Sequence, residues 1–437
     1  MKRTIVQIFF FVWAFPAVAQ YTVTSGNSSP LLAENNINGR IEVYLLNGLA
    51  GCGITFTSNN SGTHQWYKYN INANEAVAVS CNQTGNQSII TDIADGYGYF
   101  VGSPTDPSTR FVWIIDYSKY TPVFYNLSVD DESDDRCNYL KIITDAEAEP
   151  LQYYTPLGMK TSLTRIYHLA YTTMKWDEEA EIFIDESVNM PVKTVNEITI
   201  EAPLKDTNFT LSGDEFAEHF GMSKIIATNY KAIAVKAQAI HEQQKEYGDN
   251  EQKVAGDNLG GSAPVDILFK AYANEPVAAF YVWTINKIDA VTGNPNTIVR
   301  YPDKVLSYKF ENSGSYIVGL EVIDSKSICV DTTQVFTVDI GETDIQIPNF
   351  FSPGSSIGSN DEFRISYKSI TSFKCSIFNR WGNLLYQWND PSKGWDGRVA
   401  GKFVPTGVYF YVIEYKGTDG KAKTKSGNIN ILRSKNE

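Results

Sequence analysis

Apolar and polar residues alternate with a period of two along most of this chain, as expected of strands with one buried face. The alternation is clearest over 263–340. There "PVDILFKAYAN", "AAFYVWTI" and "LSYKFENSGSYIVGLEVIDSKSICVDTTQVFTVDI" each place apolar side chains on one side of an extended backbone. Over 20–117 the strand segments are "RIEVYLL", "GITFTS", "HQWYKYN", "AVAVSC" and "RFVWIIDY", with turns in "SNNSG" and "CNQTGNQS". Residues 118–242 continue as a β-rich domain through "VFYNLSV", "YLKIIT", "TRIYHLAYTT", "AEIFID" and "NEITIEA". One short helix is expected at "LSGDEFAEHFGM". Ser212 would cap it, Glu215 would answer three residues on, and Phe216 and Phe220 would share a face. "YKAIAVKAQAI" reads as a strand, because Ile233, Val235 and Ala237 alternate with lysines. Residues 243–262 are polar and end Gly-rich, which suits a linker or flexible loop. The fold class is therefore all-β, with tandem sandwiches ending in a small β domain over 341–437.

The first nineteen residues stand apart. "MKR", an apolar run and "AVA" at 17–19 read as a signal peptide cut before Gln20. The chain has 437 residues, room for about three or four domains. Its formal charge is −13, with no basic tract, so nucleic acid is excluded as a partner and an acidic, outward-facing protein is indicated. The five cysteines are far apart, with no CxxC pair for zinc. A disulfide between Cys52 and Cys81 is open to the first domain in an oxidising compartment. Cys375, alternating with Phe373 and Ile377, reads as a buried thiol.

Chemistry is sparse. None of the four histidines pairs at metal-ligand spacing, and His219 beside Glu215 and Glu218 reads as a solvated helix face. There is no G-x-S-x-G elbow, and "NLGGSAP" lacks the lysine of a phosphate loop. The acidic run "DDESDD" at 130–135 lacks the order of a calcium loop and reads as solvated. No catalytic residue, metal site or cofactor is assigned.

Three resemblances follow from these segments. Cys52 followed by Trp66, with "DIADGYGYFV", is similar to an immunoglobulin-like sandwich with a tyrosine corner; no cysteine falls near Val101, so the usual intersheet disulfide is not expected. "FYVWTI" with Trp283, "YKFENSGSYIVGLEVID" and "CVDTT" resemble the PKD repeat family, whose domains are spacers or adhesion modules. The last unit carries Pro348, Asn349, Phe351, Pro353, Asn360, Asp361 and Phe363. It continues with Phe378, Asn379, Arg380, Trp381, Gly382, Trp395, Asp396, Gly397, Pro405, Gly407, Tyr409 and Tyr411. In that order they resemble the gliding-motility-associated C-terminal domain of Bacteroidetes, the type B sorting signal of type IX secretion. The departure is "GSSIG", where the family commonly has an Asn-Gly-Asp-Gly run.

The resemblance implies passage across the outer membrane by the type IX translocon, with an outer-membrane partner that reads the C-terminal domain, and residence at the cell surface or outside the cell. Trp381, Trp388 and Trp395 are expected to be mainly core, with Asn379, Arg380 and Asp396 bonding turn backbone or stacking on the rings. Two functions fit. One is a non-enzymatic protein of adhesion or surface assembly, with a surface glycan or protein as ligand. The other is a secreted glycan-binding protein or hydrolase whose active part is 20–242.

Overall fold

The computed structural model describes residues 20–130, 132, 134–243, 248–253, 259–354 and 360–433. The leader, part of the acidic run and most of "GSSIG" lie outside the described residues. The described chain is almost wholly β-stranded, with one five-residue α-helix, Glu215–His219. It divides into two compact units. The first comprises the described residues of 1–172, 187–201 and 206–230; the second comprises those of 173–186, 202–205 and 231–437.

The first unit opens with two sheets. One orders the strands Gln20–Thr24, Gly53–Thr57, Gln87–Ile90 and Asn82–Thr84. The other orders Leu31–Asn36, Ile41–Leu46, Phe111–Asp116, Tyr97–Val101, Trp66–Tyr69 and Val77–Val79. Trp66 is fully buried between them, with Tyr21, Ile54, Tyr99, Val112 and Ile114. Tyr99 forms the expected corner: its hydroxyl accepts from the Ala94 N–H at 2.7 Å.

Every residue of Phe111–Asp116 is buried, and the reason is that its strand is covered on both faces. Val112 and Ile114 face the Trp66 core. Phe111, Trp113 and Ile115 face a second core, shared with Leu151, Tyr153, Leu163, Ala217 and Phe220. The continuous apolar run "RFVWIIDY" is thus the midlayer of a structure that extends past residue 117. The helix is pinned there by a buried ion pair, Arg165 to Asp214 at 3.1 Å. The Tyr117 hydroxyl also donates to Asp214.

Asp214, not Ser212, caps this helix, accepting from the Ala217 N–H at 2.9 Å. Ser212 is held inside the strand Thr207–Gly213, opposite His168. The Cys52–Cys81 disulfide that the sequence leaves open does not form: both are free thiols. Cys52 donates to the Gly48 carbonyl at 3.3 Å and Cys81 to the His64 carbonyl at 3.6 Å, so each thiol is turned to its own local acceptor.

In the second unit a three-stranded sheet (Ala237–Gln243, Val265–Ala273, Val305–Phe310) faces a larger one. The larger sheet is built on Leu259–Gly261, Val335–Ile340, Gly314–Asp324, Ala278–Ile288 and Pro295–Tyr301. Trp283 is fully buried against Phe269, ring centroids 5.6 Å apart. Only the two ends of "YKAIAVKAQAI" are in strands, Tyr230 closing Lys224–Tyr230 and Ala237 opening Ala237–Gln243. Residues 231–236 lie outside the strands, and two of them meet one side chain: Asn274 accepts from the Lys236 N–H at 2.8 Å and donates to the Ala234 carbonyl at 2.9 Å.

Of the stretch 243–262, residues 244–247 and 254–258 lie outside the described residues, and the ends are built into strands. Gln243 and Leu259–Gly261 belong to the two sheets, and the Gln243 side chain bridges them through two hydrogen bonds to Gly260, at 2.7 and 2.8 Å.

Candidate functional site

The C-terminal domain is a five-stranded sheet in the order Phe350–Phe351, Ala422–Ile431, Gly407–Gly417, Ile370–Phe378, Leu384–Trp388. The first pair is parallel and the others antiparallel. Loops carrying Phe363 and Trp395 close over one face.

Trp395 is the hub of the core. It is fully buried and its Nε1–H donates to the Arg398 carbonyl at 2.9 Å. Its ring centroid lies 5.6 Å from Phe351 and 5.9 Å from Tyr409. Its backbone exchanges two hydrogen bonds with Phe363, at 2.8 and 3.1 Å, so the two covering loops are zipped together. Trp388 is buried beside Phe363 and Phe373.

Other motif residues serve turns and close approaches. Gly397 has φ +76°, and a Cβ there would meet Pro353 at 3.0 Å. Asn360 also has a left-handed backbone, φ 56°, and its carbonyl accepts from the Ser352 N–H at 2.6 Å. The Asn349 carbonyl accepts from the Asn430 N–H at 3.0 Å. The Pro405 carbonyl accepts from the Tyr409 hydroxyl at 2.8 Å, and Gly407 takes φ +145° between them. Tyr411 lies over Gly427, where a Cβ would sit 2.7 Å from Cζ of the ring. Asp396 Oδ1 accepts from the Arg398 N–H at 3.0 Å.

At the hairpin after Ile370–Phe378, Asn379 Oδ1 accepts from the N–H groups of Trp381 and Asn383, each at 3.0 Å. Gly382 makes the turn with φ +85°. Trp381 is not core, contrary to expectation: it is 72% exposed, with the Arg380 guanidinium 4.6 Å from its ring centroid. A hairpin tip has no neighbouring layer to cover an indole. Among the motif residues, then, Phe351, Phe363, Trp395, Tyr409 and Tyr411 share one core, while Asn379 to Gly382 form a separate corner.

Burial dominates the electrostatics. It pushes the Cys375 thiol up to about 12 and raises the Tyr409 and Tyr411 hydroxyls above their ordinary range. Cys375 is fully buried, as its alternation implies.

Sequence reading missed a clamp. Asn250 Nδ2 donates to the carbonyls of Ile365 and Pro391, both at 2.8 Å. The Tyr367 N–H donates to the Asn250 carbonyl at 3.1 Å, and the Gln252 N–H to the Tyr367 carbonyl at 2.7 Å. A second set of bonds converges on Ser369, which is fully buried with φ 52°. Its N–H donates to Ser262 Oγ at 2.7 Å and its hydroxyl to the Gly341 carbonyl at 2.6 Å. Residues 248–253 and 262–263 therefore complete the edge of a domain that begins about ninety positions later.

Residues 345–431 match the family model of the CHU_C type IX secretion signal domain. The chain ends in a type IX secretion signal domain. Upstream of it, residues 128–228 match the fibronectin type III domain. The signal domain marks the chain as cargo for export by the type IX system to the cell surface or the extracellular space. A search of the curated proteins finds no match.

Solved structures of low identity align over much of the chain. A tetra-tandem repeat in the extending region of a large adhesion protein is 11% identical, covering 88% of this chain and 96% of its own, with TM-score 0.23. A Ca2+-stabilised, ice-binding adhesin of an Antarctic bacterium is 10% identical, covering 94% and 100%, with TM-score 0.19. The eight N-terminal immunoglobulin domains of Down syndrome cell adhesion molecule are 12% identical, covering 94% and 56%, with TM-score 0.22. At these scores the alignments carry no functional argument.

Among the described residues, no group of three or more His, Cys, Asp or Glu is placed to hold a metal ion. No described helix is long and apolar enough to cross a membrane.

Proposed function

We propose that this is a non-enzymatic surface protein whose tandem sandwiches act in adhesion or surface assembly. The C-terminal domain delivers it through the type IX translocon and is read as a folded shape by a partner at the outer membrane. The sandwich over 263–340 is the PKD-like spacer of this arrangement. The observation that carries the proposal is the signal-domain match over 345–431, on a domain whose motif residues hold its own core and turns. A scaffold kept for recognition must be intact to be recognised, so core and signal roles coincide in Trp395 and Tyr409.

The test is removal of residues 345–437 followed by fractionation of the cells. The truncated chain is expected to stay in the periplasm; its arrival outside refutes the assignment. A glycan and peptide panel then separates adhesion from catalysis, since binding without turnover supports the proposal and turnover refutes it.

A further inference from the structure

The signal-domain sheet packs one face on the Trp395 core and leaves the other to solvent. An antiparallel sheet with one wet face should carry polar residues there. Half of this face does. Thr424 lies opposite Glu414, and Glu414 opposite Lys374, which it pairs at 3.1 Å. The other half does not. Phe410 lies opposite Phe378, and Phe378 opposite Leu384. One row further, Val408 lies opposite Asn430, which faces Phe350. Leu384 is 54% exposed, Val408 48%, and Phe410 and Phe350 43% each. A cleft of about 500 Å³ runs over Val408, Phe410 and Val412, beside Ser426 and Asn428.

The fold does not account for this apolar half-face, since the domain's own core lies on the opposite side. Contiguous exposed apolar surface of this kind marks contact with another molecule. Charge says what kind. Residues 345–437 hold 13 Lys and Arg against 7 Asp and Glu, a net of +6, whereas residues 1–344 hold 24 against 43, a net of −19. The carboxylate on this face, Glu414, is matched by Lys374, and the hairpin corner presents Arg380 on exposed Trp381.

We propose that the half-face of Phe350, Phe378, Leu384, Val408, Phe410 and Val412 docks the domain on a protein of the export machinery. That protein presents an apolar ridge rimmed by carboxylates. The proposal rests on the reading of residues 345–437 as the export signal and assigns the surface through which it is read.

The test uses the full-length chain in a bacterium with a type IX translocon, comparing the fraction that reaches the exterior. The double variant Val408→Glu/Phe410→Glu is expected to cut that fraction about tenfold, the effect of losing about 1.4 kcal/mol of docking energy. Arg380→Glu should lower it too. Ser372→Glu, on the polar half, should export as the parent does. Thermal unfolding of each purified protein checks folding. If the Glu pair unfolds, Val408→Thr/Phe410→Thr, which keeps strand propensity, decides the matter by the same readout.

Parental export of the folded Glu pair overturns the proposal. Parental export with loss of self-association also overturns it, and assigns the face to a second copy of this chain. If removal of residues 345–437 leaves export intact, the signal reading itself fails. A face variant that fails to alter export leaves that reading standing.

Discussion

The Tyr409 hydroxyl reaches back four residues and donates to the Pro405 carbonyl at 2.8 Å. The preceding sandwich repeats the device, where Tyr316 donates to the Asn312 carbonyl at 2.7 Å. In both, a glycine of positive φ stands two residues before the tyrosine: Gly407 and Gly314. The bond fixes the chain as it enters an eleven-residue strand, Gly407–Gly417 or Gly314–Asp324. Tyr409→Phe should therefore destabilise the second unit by about 1 kcal/mol, the net worth of one hydrogen bond, without loss of ring packing. Urea unfolding followed by tryptophan fluorescence checks this.

The tryptophans of the signal domain should separate cleanly. Trp395→Ala removes the hub of the core and one hydrogen bond, and should cost about 3–5 kcal/mol. Trp381→Ala removes an exposed ring and should change stability by less than about 0.5 kcal/mol. Equal losses in chemical denaturation would contradict the positions described for the two rings.

Ser88 holds the first sandwich together through a single hydroxyl. It accepts from Trp66 Nε1–H at 2.8 Å and lies 2.8 Å from His64 Nδ1. Ser58 Oγ gives its own proton to the Asn60 carbonyl, so it accepts from His64 Nε2–H at 2.9 Å, and His64 Nδ1 accepts the Ser88 proton. Ser88→Ala strands two buried polar groups and should cost roughly 1–3 kcal/mol. In ¹⁵N spectra the Trp66 indole resonance should shift, and so should His64 Nδ1, which loses its hydrogen-bond donor.

The Cys375 thiol keeps its proton up to about 12 in the folded chain, against 9.0 for an ordinary thiol. Folding thus binds the proton more tightly, so its contribution is complete below about pH 9 and is lost as pH rises towards 12. Buried Tyr409 and half-buried Tyr411, also raised, act in the same direction. The unfolding midpoint of the second unit should fall between pH 9 and 11, less steeply in Cys375→Ala. At pH 8, iodoacetamide should label half-buried Cys81 well before Cys375 in the native protein.

Features written in local chemistry were legible in the sequence. The period-two alternation identifies the strands, and Asn379 and Gly382 identify a turn without reference to anything distant. Trp66, Trp283 and Trp395 are buried as large aromatics in small domains should be. Choices that depend on competing neighbours were not legible. Asp214 wins the helix cap because Ser212 is already committed to a strand. The thiols of Cys52 and Cys81 find carbonyls before they find each other. Trp381 has the same side chain as Trp395, and only its place on a hairpin tip sends it outward. The least legible feature is Asn250, whose partners stand 115 and 141 positions away. No window of sequence contains both ends of such a contact.

That contact sets a grafting boundary. A passenger protein fused to residues 341–437 would inherit the address with one seam open. The Ile365 and Pro391 carbonyls would lose their amide donor, and the Ser369 N–H its hydroxyl acceptor. Starting the transplant at Gly248 brings the closing stitch along with the domain it closes.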